Sequence, residues 1–564
     1  MSRPCLSLFV SFLVLTSHVS SAWAEVGMLH RDDRSEGGYT LFGPSGSTFT
    51  YLLDDHGNLV HRWGGDSRPG LSVYLEDDGV LLRCAKPLGA TPVLNGGGSG
   101  GRLQRWSWDS ELLWEYTLAD DLQRLHHDVE ILPNGNILAL VWERWTEAEA
   151  LALGRDPGLI ADGELWTEAV LELRPTLPTG AEIVWSWHAA DHLVQDFDPA
   201  SPDHDVVADR PERINLNYSS NGGADDWHHA NGIDYNEELE LIVISVRAFH
   251  ELWVIDHSTT TEEAADSTGG RRGRGGDLLY RWGNPQTYDR GTADDRQLFG
   301  QHDVQWVPAG YPGEGNFTIF NNGQGRPDGT YSTIDEITPP TTGDGGEFVL
   351  EDGQPYGPAA PTWIYSDPAV FYSQNISGTH RLRGGNTLAC QGRAGRLIEV
   401  TPEGDVAWEY VNPDQNGSIL DVDATPGGNS VFRATRIPAD DPRLDGLDLD
   451  HQGPLENRLP TEVSPLGSVT YLHWTDRETL AWEDGARSHS VTFSLYRGIL
   501  TDLRLGRSAA CSQRDVPQSM TTDVDLPPAR EGYYYLVAGH NGAGEGPLGF
   551  DSSAVARTVA APCP

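Results

Sequence analysis

Lysine is nearly missing from this 564-residue chain: Lys86 is the single lysine among 39 basic residues. We read the excess of arginine as compositional bias rather than as a cluster of guanidinium sites. The basic residues face 83 acidic ones, for a formal net charge of −44. A field of that sign repels phosphate backbones and anionic headgroups, so neither nucleic acid nor a membrane surface is expected as a partner. Amphipathic helical patterns are also few. The one candidate is Thr146–Leu153, rich in good helix formers and followed by Gly154 as a stop. Cysteine is scarce, with five residues and no Cys-x-x-Cys or zinc-like spacing. No long apolar run follows the N-terminus. The run from Leu6 to Thr16 is itself too short to cross a bilayer comfortably.

That N-terminal stretch reads as a secretory signal: Arg3, an apolar core, then Ala22-Trp23-Ala24 as a cleavage site. Cleavage after Ala24 predicts an exported, soluble protein, periplasmic or extracellular. Cys5 leaves with the signal, and Cys84, Cys390, Cys511 and Cys563 remain in a compartment that permits disulfides. Cys511 with Cys563 is the preferred pair, because both lie near the C-terminus; Cys84 with Cys390 is the second candidate.

Glycine (64 residues) and proline (36) are abundant and spread along the chain, as expected for many short strands joined by turns. Strands ending in tryptophan or tyrosine recur as Leu59–Trp63, Leu112–Tyr116, Ile183–Trp187, Leu278–Trp282, Thr362–Tyr365 and Val406–Tyr410. Each is followed by a strand–turn–strand. The turn is clearest at Leu132-Pro133-Asn134-Gly135-Asn136-Ile137-Leu138. It recurs at Glu76–Gly79, Asn236–Glu238, Leu382–Leu388 and Pro426–Asn429. Six such units predict an all-β chain: a six-bladed β-propeller over 25–460, after a signal at 1–24. Long insertions at Asp191–Asp225 and Ser258–Gly276 are expected as face loops, and Arg271-Arg272-Gly273-Arg274 as a flexible one. The composition shifts near Pro460. Strands such as Val491–Arg497 and Tyr533–Ala538 then predict a small fibronectin type III-like β-sandwich over 461–564.

Three segments place histidine ahead of an apolar strand at one point of the repeat. They are His126-His127-Asp128-Val129, Trp227-His228-His229-Ala230-Asn231 and Gln301-His302-Asp303-Val304. A single such histidine is ordinarily a hydrogen-bonded structural group. Three in one register, with Ser377 and Leu420 near it in the fifth and sixth units, show that the blade itself does not require histidine. In a closed repeat, equivalent positions converge on the axis. Arg247 lies on the strand after the third-unit turn, as an ion-pair partner or as an anion clamp. Asn231 is positioned to share a strand face with His229. Imidazoles, an amide and a guanidinium suit an oxyanion without a metal or other cofactor. A three-histidine zinc site, with Asp128 and Asp303 orienting the rings, is the chemical alternative.

Taken in order, these segments resemble the bacterial arylsulfotransferase (aryl-sulfate sulfotransferase) family. They include His126 to Asn136, Asp226 to Asn231, Ser245-Val246-Arg247, Trp282-Gly283-Asn284-Pro285 and Phe299-Gly300-Gln301-His302-Asp303. Ser377-Gly378, Gly395 to Pro413 and Phe432-Arg433-Ala434 extend the match, from about Gly38 to Glu456. The resemblance implies a six-bladed propeller with an axial site. It also implies PAPS-independent sulfuryl transfer from an aryl sulfate donor to a phenolic acceptor through a sulfohistidine. It puts the nucleophile at His302 and supporting roles at His127, His229, Asn231 and Arg247. His126, His228, Asp303, Ser377 and His380 are the further substrate-contact candidates. Of these, His380 lies out of register with the other histidines, and Asp303 either orients His302 or caps its strand. Two rival readings are a non-catalytic secreted propeller that binds a glycan or protein, and a metal-dependent hydrolase. The sequence leaves the oligomeric state open.

Overall fold

The computed structural model describes residues 25–89, 93–160, 162–219, 225–342, 347–460, 472–483, 489–504, 508–529, 531–549, 556–559 and 562–563. The expected signal segment, with Ala22-Trp23-Ala24 and Cys5, lies outside the described residues, as does the stretch directly after Pro460.

Strands dominate, and six sheets of four or five antiparallel strands follow one another along the chain. The sheets begin with Pro69–Leu75, Gln123–Ile131, Ala230–Asn236, His302–Trp306 and Gly378–Arg381. The remaining sheet begins with Val431–Ile437, which pairs with Tyr39–Pro44. These first strands touch their neighbours in a closed cycle, so they surround a common axis. Six apolar clusters fill the gaps between adjacent sheets, one per gap. The ring is therefore held by sheet-on-sheet burial all the way round, a propeller-like arrangement with its polar residues left to the axis and rim.

The chain closes the ring with strands from both ends. Val431–Ile437 completes the sheet made of Tyr39–Pro44, Phe49–Leu53 and Leu59–Gly64, while Gly27–Arg31 adds to Val406–Val411 of the last sheet. This explains two departures from the sequence reading. The aromatic strands are the outer strands of their sheets, and the hairpin that follows each belongs to the next sheet, so the sequence repeat runs one strand out of phase with the sheets. Pro426–Asn429 is not such a hairpin turn. It leads into Val431–Ile437, whose partner strand lies almost 400 residues earlier, so no local hairpin forms there.

Tryptophans also link the outer strands. Trp114, Trp187, Trp282, Trp363 and Trp408 donate their indole N–H to Gly180, Gly276, Pro358, Pro402 and Asp55 carbonyls, at 2.7–2.9 Å. Each acceptor precedes the outer strand of the following sheet. The helix expected in the insert is present as Glu147–Ala152, with Thr146 and Glu149 forming a capping box. The arginine-rich insertion is tied down rather than free: Arg272 reaches Asp256 and the Leu239 carbonyl, and Arg271 pairs with Glu240.

After the ring, two small antiparallel sheets share a core of Leu480, Trp482, Phe493, Leu495, Val516 and Val537. Cys511 and Cys563 form a disulfide there. Cys84 and Cys390 are both free and buried, because they sit in different sheet interfaces.

Candidate active site

The ends of the first strands turn sharply at the axis. His127, His229 and Asp303 have φ of 49°, 50° and 55°, the left-handed region that side chains with a Cβ seldom occupy. Each of these three strands also slips register at or within two residues of this point, against the second strand of its sheet. A bulge of this kind re-aims side chains, and here it turns imidazoles inward. In the sheet that begins with His302–Trp306 the turn falls one residue after the histidine, so His302 is displaced relative to the other two.

His127 and His229 stand edge to face with ring centroids 4.8 Å apart. His302 lies across Phe432, whose ring centroid is 6.1 Å from His127 and 6.5 Å from His302. The space for His127 exists because residue 98 is glycine: a Cβ there would lie 1.9 Å from Nε2 of the ring. Burial, reinforced by Arg247 and His229, holds His302 well below the usual imidazole range. Burial and then His229 do the same to His127. The proposed nucleophile is thus uncharged at neutral pH.

Each ring has its Nδ1 occupied. His302 Nδ1 is 2.7 Å from Asn322 Oδ1. The Asn322 amide nitrogen donates to the Ser373 and Ile376 carbonyls, which leaves its oxygen as the only group able to face His302. Nδ1 therefore carries the hydrogen and Nε2 the lone pair, which accepts the Ile376 N–H at 3.1 Å. Ile376 is itself strained, a β-branched residue at φ 53°. His229 Nδ1 faces Asp226 at 2.5 Å, so its Nε2 is likewise the acceptor. His127 Nδ1 lies 2.9 Å from Nδ1 of His126, whose Nε2 lies 2.8 Å from Glu168. Arg247 is half-buried, donates to Gln324 at 2.5 Å and makes no ion pair among the described residues.

The structure thus gathers His127, His229, His302 and Arg247. It assigns other places to the remaining candidates. Asn231 is fully buried and donates to the Gln301 carbonyl at 2.8 Å, so it fixes the backbone directly before His302. His126 backs His127. His228 is packed among Trp227, Phe249 and Trp253 with neither ring nitrogen bonded. Asp303 is buried and does not bond His302. It turns to Arg433 and the Thr379 N–H, because the backbone reverses at that residue. Ser377 accepts the Gly392 N–H, and His380 accepts the Arg436 N–H. A three-histidine metal site needs ligand atoms converging on one point. Among the described residues only Asp54, Asp55 and His56 bring three such atoms within 4.8 Å of one another. That trio is away from the axis, and Asp55 is already held by Arg31.

Two residues that line or back the histidines, Phe432 and Glu168, carried no repeat signal. Asn322 and Arg247 do share one: both directly follow the second strand of their sheets, Phe317–Asn321 and Leu241–Val246. Glu168 lies on a third strand and Phe432 on the closing strand, where no histidine motif points.

Among solved structures, the chain is similar to a protein of unknown function from Bacteroides caccae. The identity is 11%, the match covers 71% of this chain and 98% of that one, and the TM-score is 0.37. It is also similar to the Myceliophteria thermophila Cps50 (Swd1) β-propeller domain at 10% identity, with coverages of 69% and 90% and a TM-score of 0.35. Virginiamycin B lyase from Staphylococcus aureus matches at 10% identity, with coverages of 69% and 88% and a TM-score of 0.30. No curated protein sequence matches significantly. The family profile described as arylsulfotransferase (ASST) matches residues 111–425, which hold His127, His229, Arg247 and His302. That span is more than half of the 564 residues, and the chain belongs to the arylsulfotransferase family.

Proposed function

We propose that the protein moves a sulfuryl group from an aryl sulfate to a phenol by a ping-pong route through His302. Nε2 of neutral His302 attacks sulfur; the bond from sulfur to the aryl oxygen breaks and a phenolate leaves. The N–S bond of the resulting sulfohistidine then breaks as a phenolic oxygen attacks, with its proton passing to a neighbouring imidazole. The single observation that carries this reading is the Asn322 clamp, which gives His302 a lone pair on the inward nitrogen. Attack through Nε2 frees the Ile376 N–H beside the sulfuryl oxygens, where with Arg247 it offers donors for the developing charge. Membership of the family supports sulfotransfer as the reaction class.

The test uses purified protein with 4-nitrophenyl sulfate, with and without a phenol. Donor alone is expected to add one sulfuryl group to the peptide carrying His302, and turnover should need the acceptor. His302→Ala should lose both, with activity down by at least about a hundredfold. Full transfer by that variant would refute the assignment. A wild-type protein that neither turns over nor becomes labelled would favour a binding propeller.

The small-residue cleavage pattern at Ala22-Trp23-Ala24 supports export. The two sheets sharing a core after the ring support division into a ring over 25–460 and a fibronectin type III-like sandwich over 461–564. Mass measurement of the secreted chain, with limited proteolysis near residue 460, checks both.

A further inference from the structure

Glu168 is one of the least exposed carboxylates near the axis, and the sulfohistidine route does not use it. It lies on Glu164–Pro175, the third strand of the sheet that carries His127. Its Oε2 is 2.8 Å from His126 Nε2, with both side chains almost fully buried. Its Oε1 accepts the Ala230 N–H at 2.8 Å, directly after His229. His126 is stacked on Trp142, ring centroids 4.2 Å apart and planes within 5°, so the imidazole has one orientation available. Its Nδ1 meets His127 Nδ1 at 2.9 Å. Donor and acceptor roles along such a chain are not independent. In its ionised form Glu168 can only accept, so His126 then carries its hydrogen on Nε2. Its Nδ1 must then accept, so His127 carries its hydrogen on Nδ1. The Nε2 of His127 is left as a bare acceptor beside the site.

We infer that Glu168, acting through His126, is the positioning residue that makes His127 the base for the acceptor phenol. This rests on the sulfohistidine reading of His302 and specifies its second half. As the phenolic oxygen attacks sulfur, its O–H bond breaks and an N–H bond forms at His127 Nε2. The His127 Nδ1 hydrogen moves to His126 Nδ1, and the His126 Nε2 hydrogen moves to Glu168 Oε2. The imidazoles end neutral with their tautomers exchanged, and the carboxylate ends protonated. No oxidant, metal or further reactant is needed. Burial raises the Glu168 carboxyl well above the usual range, with Asp226 adding to it, which suits a group that receives a proton. The same burial drops His126 to about 3, so a lasting charge on the middle ring is disfavoured. The charged and titratable groups facing this chain are Asp226, His229, His302, Arg124, Asp128, Glu143 and Arg247. Asp226 engages His229 Nδ1 in a second, shorter arm that is partly exposed, whereas the His127 arm ends in a carboxylate that is almost fully buried.

The two half-reactions separate this role from simple support. Release of 4-nitrophenolate needs little protonation, whereas attack by a weakly acidic phenol needs a base. In Glu168→Gln the amide still accepts the Ala230 N–H but presents an N–H to His126, which reverses both tautomers. His126→Phe keeps the stack on Trp142 and cuts the chain while leaving Glu168 on Ala230. Each variant is expected to slow desulfation of His302 by a weakly acidic phenol about a hundredfold. That loss should exceed the loss in labelling by 4-nitrophenyl sulfate at least about tenfold, and it should shrink steadily as more acidic phenols are used. Equal losses in the two half-reactions, or a loss that ignores acceptor acidity, would overturn the relay. So would a loss in Glu168→Gln that His126→Phe does not share, since the effect would then run through Ala230. A wild-type protein that never labels His302 overturns the sulfohistidine reading and the relay together. A labelled wild type with equal losses overturns the relay alone.

Discussion

Asn322 decides which nitrogen of His302 keeps its lone pair. Its amide is locked by two carbonyls, so it cannot turn round to serve the other tautomer. Asn322→Leu keeps the approximate volume and removes the acceptor. Labelling of His302 by an aryl sulfate should then fall about a hundredfold or more, by analogy with the loss when an orienting partner of a catalytic histidine is changed. A loss below about threefold would show that packing alone fixes the ring. The acidity of His302 makes a second prediction. Burial and Arg247 lower its pKa, so it stays unprotonated as the solution is acidified. The labelling rate should stay level from about pH 8 through the ordinary imidazole value of 6.5 and fall only below it. A rate that halves near 6.5 would mean an ordinary, solvated ring. Of these residues, the sequence exposed His302 because it sits in a motif that recurs. Asn322 stayed hidden because its neighbours, Asn321 and Gly323, read as an ordinary turn.

At the level of strands, the aromatic pattern was legible because its cause repeats. Each outer strand packs against the next sheet, and five of the six also use an indole N–H to bind it, so tryptophan recurs at the same place. Trp63 is the exception: its N–H finds no acceptor, and Trp108 packs against it edge-on at 5.2 Å instead. The phase of the repeat was not legible, because closure is a pairing between Val431–Ile437 and Tyr39–Pro44 that no local pattern encodes. Closure also explains Arg433. From that last strand it reaches Asp128 Oδ2 at 2.8 Å, and its Nη2 lies 3.0 Å from Asp303 Oδ1, an ion-pair contact without hydrogen-bond alignment. One guanidinium thus ties the closing strand to two other sheets, beneath the histidines. Arg433→Met would bury two carboxylates without their cation. The expected cost is about 3–5 kcal/mol in urea unfolding. Adding Asp303→Asn should recover part of it, because one of the stranded charges is removed. A cost below about 1 kcal/mol would show that the carboxylates find other partners.

For the whole molecule, the charge of −44 conflicts with an anionic donor, and distance resolves the conflict. Arg247, Arg296 and Arg326 cluster around Phe299 and Gly300, next to His302, and none of them makes an ion pair among the described residues. In a chain where acids outnumber bases by more than two to one, guanidinium groups without carboxylate partners leave a local positive field. The acidic surface acts over long range and the arginines over short range, so salt affects them in turn. At about 10 mM salt the screening length is about 30 Å, and the donor feels the repulsion of the whole surface. At about 100 mM it is about 10 Å, and the arginines near His302 dominate. The value of kcat/KM for 4-nitrophenyl sulfate should therefore rise between these concentrations and fall again towards about 1 M, where even contacts at about 3 Å are screened. Arg296→Gln should weaken the fall at high salt while keeping the rise at low salt, since it removes only the local attraction. A steady decline from the lowest salt onward would mean that the surface charge never reaches the donor's path. A steady rise throughout would mean that the three guanidinium groups do not steer it at all.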